Sequence, residues 1–267
     1  MALRRFMWFR ITRDNRQGAS EMNRVLITTV LFLLVVPFRH AQAGVAEGYE
    51  ALSDGDYRRA REELTPAAGA GDATAAYYIG LMFWEGMGVP RNPATAVSWL
   101  ASAAERGHSN AQLILGLAYA NGDGVIQDFR LAARWMMEAA ERGNADAQYH
   151  LGSYYHDGRG IAQDNAEAYD WVARSVEYGI GHDRLLDGFL FLGAAREWGR
   201  GVPQDLVEAY KWFVLAAGYS IDAAQTYEEA GRAMGALSTR MRTDEMEQAH
   251  LRAQQWIDRK RGIVRVD

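Results

Sequence analysis

Three sets of residues have types and spacings that bear on chemistry. Four Gly-x-Gly pairs, at 86–88, 122–124, 158–160 and 199–201, resemble phosphate-cradling loops. A dinucleotide-type loop needs a strand before it, and the sequence offers none, so the four read as helix–helix turns. His150 and His156 are six residues apart. On a helix that spacing carries them about 600° round and leaves them about 120° out of alignment. They do not form the ready metal pair of two histidines at i and i+4, and both are expected as polar surface or groove residues. The carboxylates Glu85, Asp157 and Glu197 are the acid/base candidates. The chain has no cysteine, which excludes disulfides, zinc-thiolate sites and a thiol nucleophile. No metal, cofactor or catalytic residue is expected.

A repeat positions these residues. Residues 111–143 read as two short helices joined by a glycine turn, and the unit recurs on both sides of itself. Gly80, Gly116 and Gly152 lie 36 apart with Gly193 a further 41 on, and Trp99, Trp135, Trp171 and Trp212 keep the same intervals. One insertion of five residues between 180 and 187 accounts for both irregular steps, giving repeats at 73–108, 109–144, 145–180 and 181–218. Such a pair cannot bury its apolar face alone and must stack on copies of itself. The predicted fold class is therefore all-α, an α/α solenoid of stacked antiparallel helix pairs.

Within each unit the recurring letters have mechanical roles. Ala75, Ile79 and Phe83, like Ala111, Leu115 and Tyr119, fall on one helix face and read as core. A glycine inside the first helix costs about 1 kcal/mol against alanine, so its return in every copy predicts a helix contact with no room for a Cβ. Asn92, Asp128, Asp164 and Asp205 stand at the N-cap of the second helix, Pro93 suits its first residue, and Glu167 and Glu208 complete capping boxes. Ala96, Ala132, Ala168 and Ala209, three residues before each tryptophan, form a buried stripe into which the tryptophan fits as the large knob.

The flanks differ from the repeats. In residues 1–43, Met22-Asn23-Arg24 precedes a 14-residue apolar run from Val25 to Phe38, followed by Ala41-Gln42-Ala43. This is the pattern of a secretory signal peptide with cleavage after Ala43. The run is shorter than the roughly 20 residues that span a bilayer; an uncleaved anchor through Val25 to Phe38 is the alternative, and Met22 offers a second start. The leader's seven arginines against Asp14 and Glu21 give it +5, so the net charge of −5 becomes −10 for the remainder. An acidic body argues against nucleic acid as a partner. Residues 44–72 read as an atypical helix pair, with helices over 45–52 and 57–68. Residues 219–267 read as capping helices, one over 221–236 and an amphipathic one over 243–259 whose inner face carries Ala249, Ala253 and Trp256.

The repeat resembles the Sel1-like family, a relative of tetratricopeptide repeats. The shared pattern is carried here by Ala111, Leu115-Gly116, Tyr119, Gly122-Asp123-Gly124-Val125, Asp128, Ala132, Trp135, Ala139-Ala140 and Gly143. The resemblance implies a right-handed superhelix whose first helices line a concave groove, used as a scaffold for partner proteins. The fourth repeat departs from the pattern by placing Arg196 where Phe83, Tyr119 and Tyr155 stand.

Removing the core positions from the first helices leaves the candidate partner-binding face. It comprises Tyr77, Leu81 and Trp84; Leu113 and Leu117; Tyr149, Ser153 and His156; and Leu190, Ala194 and Trp198. Aromatic and leucine side chains on such a face suit a partner protein, although each has an equal claim to pack against its neighbouring helix. Helices packed about 8–10 Å apart put Glu85 and Asp157 roughly 20 Å from each other, too far to act together. Asp157 and Glu197, in neighbouring repeats, could approach the roughly 6.5–9.5 Å used by inverting glycosidases, with Trp84 and Trp198 to stack on sugars. The leading expectation is an exported, non-enzymatic scaffold with a protein partner in the bacterial envelope. The alternative is a glycan-linked role in binding, assembly or hydrolysis. Sequencing the mature N-terminus of the exported protein checks the leader: Gly44 is expected first, and a retained residue 25–38 segment overturns cleavage.

Overall fold

The computed structural model describes residues 44–219 and 224–262. The leader with its cleavage site, and residues 221–223 of the first capping helix, lie outside the described residues. The described regular elements are helices: α1 (residues 44–53), α2 (Tyr57–Gly69), α3 (Ala73–Glu85), α4 (Pro93–Glu105), α5 (Ser109–Asn121) and α6 (Phe129–Glu141). They continue as α7 (Ala145–Asp157), α8 (Asn165–Tyr178), α9 (His182–Trp198), α10 (Leu206–Tyr219), α11 (Ala224–Ser238) and α12 (Thr243–Lys260). The chain divides into two compact units, one reaching to Ile79 and the other beginning at Gly80. In the first, Asp56 caps α2 by accepting from the Arg59 amide, and Gly48 lets α1 close on Leu64, whose Cγ would stand 2.6 Å from an added Cβ.

In the second unit the period of 36 has a simple construction. A 13-residue helix such as α5, a turn at 122–128, the 13-residue α6 and a turn at 142–144 make one repeat. The five inserted residues do not loop out. The turn at 179–181 keeps its length, while α8 grows to 14 residues and α9 to 17. Successive helices from α4 to α10 pack on one another, the first helices α7 and α9 touch, and α10 carries both α11 and α12.

The helix-internal glycines mark the closest approach within each pair. A Cβ at Gly80 would stand 2.8 Å from Leu100 Cγ, at Gly116 3.0 Å from Met136 Cε, at Gly152 2.6 Å from Val172 Cγ2 and at Gly193 2.6 Å from Phe213 Cε1. These partners correct the sequence reading. The knob is the residue after each tryptophan: Leu100, Met136, Val172 and Phe213 are buried, whereas Trp99, Trp135 and Trp171 are partly exposed and only Trp212 is buried. Two of the outer rings meet cations, with the Arg134 guanidinium 5.7 Å from the Trp135 ring centre and that of Arg174 4.7 Å from Trp171. The alanine stripe is as expected, Ala96, Ala132, Ala168 and Ala209 all being fully buried.

The turns do more than supply positive φ. Gly124, Gly160 and Gly201 have φ of 74°, 69° and 75°, and a Cβ at each would strike backbone of the preceding repeat's second helix. The nearest atoms are the Pro93 carbonyl carbon at 2.5 Å, the Phe129 carbonyl oxygen at 2.0 Å and the Asn165 carbonyl group at 2.2 Å. Each turn is tied down locally as well. The N-cap residues Asn92, Asp128, Asp164 and Asp205 donate their amides to the carbonyls of Phe83, Tyr119, Tyr155 and Arg196 at 2.8–3.0 Å. The residue before each cap, Arg91, Gln127, Gln163 or Gln204, reaches back with its side chain to the next carbonyl, of Trp84, Ala120, His156 or Glu197.

The N-cap bonds form as read, but neither expected capping box closes. Asp164 and Asp205 accept from the amides of Glu167 and Glu208. Neither glutamate accepts in return, because the amides of Asp164 and Asp205 are given to the carbonyls of Tyr155 and Arg196, and the Glu208 carboxylate pairs with Lys211 and with Arg252 of α12. Burial lowers the pKa of Lys211 against the pull of Glu208 in the opposite direction.

The capping helix α12 buries Ala249, Ala253 and Trp256 as its pattern requires. Trp256 meets Phe189 edge to face at 5.4 Å, and Phe189 stacks on Trp212 at 5.7 Å. Glu177 of α8 fixes the same helix, accepting from Trp256 Nε1 at 2.7 Å and pairing with Lys260 at 2.9 Å. Among the described residues no helix is long and apolar enough to cross a membrane.

Gly152→Ala and Gly231→Ala separate packing from helix propensity. Alanine is favoured in a free helix by about 1 kcal/mol, and nothing stands within 4 Å of a Cβ at Gly231, so that variant is expected to gain up to about 1 kcal/mol. Gly152→Ala is expected to lose roughly 1–3 kcal/mol because its Cβ meets Val172 and, at 3.0 Å, the Ala168 carbonyl oxygen. Urea unfolding checks both, and a Gly152→Ala protein as stable as wild type overturns the contact.

Candidate functional site: the first-helix face of the third and fourth repeats

The candidate face is built by the first helices; the starts of α3, α5 and α7 are capped by side chains in the three-residue turns, whereas α9 has Gly181 at its N-cap and no side-chain cap. Asp72 accepts from the amides of Thr74 and Ala75, His108 from Ala111 and Asn144 from Ala147. Gln112 and Gln148 are buried one position along and donate to the carbonyls of Ala104 and Ala140 at 3.0 and 3.1 Å. Phe189 takes that register in the lengthened α9 and turns the position from a polar tie into aromatic core.

The structure places the predicted anchors unequally. Tyr77 belongs to the N-terminal unit, where its ring meets Tyr78 at 5.2 Å. Leu81 and Trp84 are partly buried. Leu113 and Leu117 pack against the buried cluster of Met136, Ala139, Ala140, Ala147 and Leu151. Tyr149 and Leu190 pack together against the cluster around Val172, Phe189 and Leu192. Ser153 is half-buried, with no partner that singles it out. His156 and Ala194 come together, and Trp198 is 60% exposed with the Arg240 guanidinium 5.7 Å from its ring centre.

His156 and Ala194 meet in a recess of about 210 Å³ lined also by Phe191, Ala195, Asn165 and Arg200. The His156 ring stands edge-on to Phe191 at 5.4 Å and interplanar 88°, and the lining is mostly apolar. Trp198 lies one helical turn beyond Ala194, which puts it on the same face of α9. Phe191, Asn165 and Arg200 were not among the predicted residues. The signal for Phe191 is a second register, one residue on from the Tyr77–Leu113–Tyr149–Leu190 row, which carries Tyr78, Ile114, His150 and Phe191.

Two expectations about chemistry are corrected. Glu197 does not face a groove. Its side chain is 9% exposed and ion-paired with Arg240 at 2.8 Å, while Asp157 pairs with Arg159 at 3.0 Å. An acid/base pair of Asp157 and Glu197 has no support, because Glu197 is committed to tying α9 to the end of α11. His150 is not a surface residue: it is largely buried in α7, its Nε2 without a hydrogen-bond partner. Burial, and then Arg184, push its pKa down to about 4, against an upward pull from Asp146. Asp146 and Arg184 themselves bridge α7 and α9 at 2.6 Å. Arg196, the residue that breaks the pattern, donates to Tyr169 Oη at 3.0 Å and lies over that ring at 4.9 Å. Among the described residues no group of three or more histidines, cysteines or carboxylates could hold a metal ion.

The Sel1 repeat is matched four times along the chain, at residues 73–108, 109–144, 145–177 and 190–217. The chain belongs to the Sel1 repeat family. Its fold is that of a Sel1 repeat protein from Oxalobacter formigenes, with TM-score 0.61 and 24% identity over 76% of this chain and 87% of the other. It is also similar to c5321, a protective antigen present in uropathogenic Escherichia coli strains and displaying an SLR fold, with TM-score 0.66 and 25% identity over 89% of this chain. The chain spans about half of c5321, 51% of its length. No curated protein matches it. Sel1 repeat proteins are generally non-catalytic scaffolds that mediate protein interactions.

The burial of His150 is expected to make the repeat stack acid-sensitive. The unfolded chain takes up the imidazole proton near pH 6.5, whereas the folded protein resists it until about 4. Folding stability is therefore full above pH 6.5 and falls as the pH drops through that window, by on the order of 2–3 kcal/mol at its lower end. Urea unfolding at pH 7 and pH 4.5 is expected to show a smaller difference for His150→Gln than for wild type, and an equal difference overturns the assignment.

Proposed function

We propose that the chain is a non-catalytic scaffold that binds a partner protein on the first-helix face of α7 and α9. The observation that supports this reading is the mostly apolar recess of His156, Phe191 and Ala194 with the exposed Trp198 one turn away. A recess of about 210 Å³ takes one large apolar side chain, and an exposed tryptophan beside it supplies area at small entropic cost. Arg200 at the recess adds a cation to a body that is otherwise acidic, favouring a partner segment with a carboxylate near its anchor. The scaffold is exported to the periplasm. The leader's pattern supports that location, and a cysteine-free chain tolerates an oxidising compartment without mispairing.

Ala194→Glu, which fills the recess, and Trp198→Ala, which removes the anchor, test the assignment by cross-linking in periplasmic extract. Each is expected to lower recovery of a wild-type-specific partner by about tenfold or more while far-UV circular dichroism stays unchanged. Exposed Ile126, changed to alanine, serves as the control. Equal recovery with all three variants overturns this face as the binding surface.

A further inference from the structure

A second recess, of about 380 Å³, lies within the N-terminal unit between α1 and the start of α3. It is lined by Tyr49, Leu52, Ser53, Thr74 and Tyr78. Its composition differs from that of the α7–α9 recess. Four of the five side chains carry a hydroxyl and none carries a charge. The rings of Tyr49 and Tyr78 meet edge to face at 5.3 Å, so they do not bury both of their flat faces on each other.

The hydroxyls are set up to exchange hydrogen bonds. Thr74 stands beside the Tyr49 hydroxyl and favours its ionised form, and Ser53 Oγ donates to the Glu50 carbonyl at 2.9 Å, which leaves its oxygen as an acceptor. Burial first, and then the charge of Asp72, push the Tyr49 hydroxyl up to about 12, so it keeps its proton over the whole working range. Asp72 itself spends Oδ1 on capping α3, accepting from Thr74 and Ala75 at 2.9 Å.

An uncharged lining excludes recognition of a phosphate or carboxylate by ion pairing, and a ring of hydroxyls disfavours a purely apolar guest. Flat aromatic surface beside several hydroxyls matches a pyranose, whose C–H face is apolar and whose rim is all hydroxyl. The volume lies at the small end of ligand pockets and suits one or two sugar rings. We propose that this recess binds a neutral oligosaccharide, one ring lying on Tyr78 and its hydroxyls exchanging hydrogen bonds with Tyr49, Ser53 and Thr74. The site uses none of the α7–α9 residues, so its failure leaves the protein-binding face untouched.

Calorimetric titration and saturation-transfer NMR of the full chain with chitotriose, cellotriose and maltotriose test it. At least one trisaccharide is expected to saturate. Saturation by chitotriose alone marks an amino-sugar polymer as the source, and saturation by cellotriose or maltotriose marks a hexose polymer. Tyr78→Ala is expected to weaken binding by about tenfold or more, and Tyr49→Phe, which keeps the ring and its packing, several-fold. Unchanged melting of Tyr49→Phe keeps the test valid should Tyr78→Ala unfold. No saturation by any of the three, binding that both variants leave unchanged, or saturation only by a decaproline peptide overturns the proposal.

Discussion

Each helix pair in the repeat region is held at the distance that a missing Cβ allows. Gly80, Gly116, Gly152 and Gly193 accept Leu100, Met136, Val172 and Phe213 at separations no other residue would tolerate without movement. The partner changes in size from valine to phenylalanine, yet the socket is always glycine, so the glycine sets the approach and the partner fills what remains. The buried alanines of the second helix serve the same end. The pairs depend on stacking for a continuous core.

The constraint accounts for how the chain absorbs its irregularities. Five extra residues between the third and fourth repeats lengthen α8 and α9 and leave the turn at 179–181 intact. The added residues lie upstream of both Gly193 and Phe213, so the register of that contact is the same as in the other repeats. The longer α9 also supplies Arg184, which bridges to Asp146. It brings Phe189 under Trp212 and Trp256, where the stack is closed by α12.

Much of this is written in residue type at fixed spacing, and what is not has a physical reason. The caps, the turn glycines and the socket glycines are legible because each answers a local backbone need that few residues meet. Trp99, Trp135 and Trp171 mislead because bulk is a poor guide to depth: a large ring at a pair's edge can cover the core without entering it. Glu197 misleads because its partner, Arg240, is 43 residues away in a helix outside the repeat pattern. His150 misleads because its burial depends on α9 lying beside α7, which no local period records. On the candidate face, Leu113 and Leu117 go to packing between neighbouring helices. His156, Ala194 and Trp198 remain near a usable surface, and Phe191 had to be seen in place.

The second glycine of each turn has a wider consequence. At Gly124, Gly160 and Gly201 the turn meets the preceding repeat through backbone atoms of Pro93, Phe129 and Asn165, three residues with nothing in common as side chains. At that glycine the joint carries no side-chain code, whereas elsewhere between modules Arg184 meets Asp146, and Leu113 and Leu117 pack near Leu151. The spacing between modules is set there by backbone, so the exposed letters are free to diverge while that spacing stays the same. Lineages built on such a joint can vary how long a reading surface is and what it reads, independently of each other.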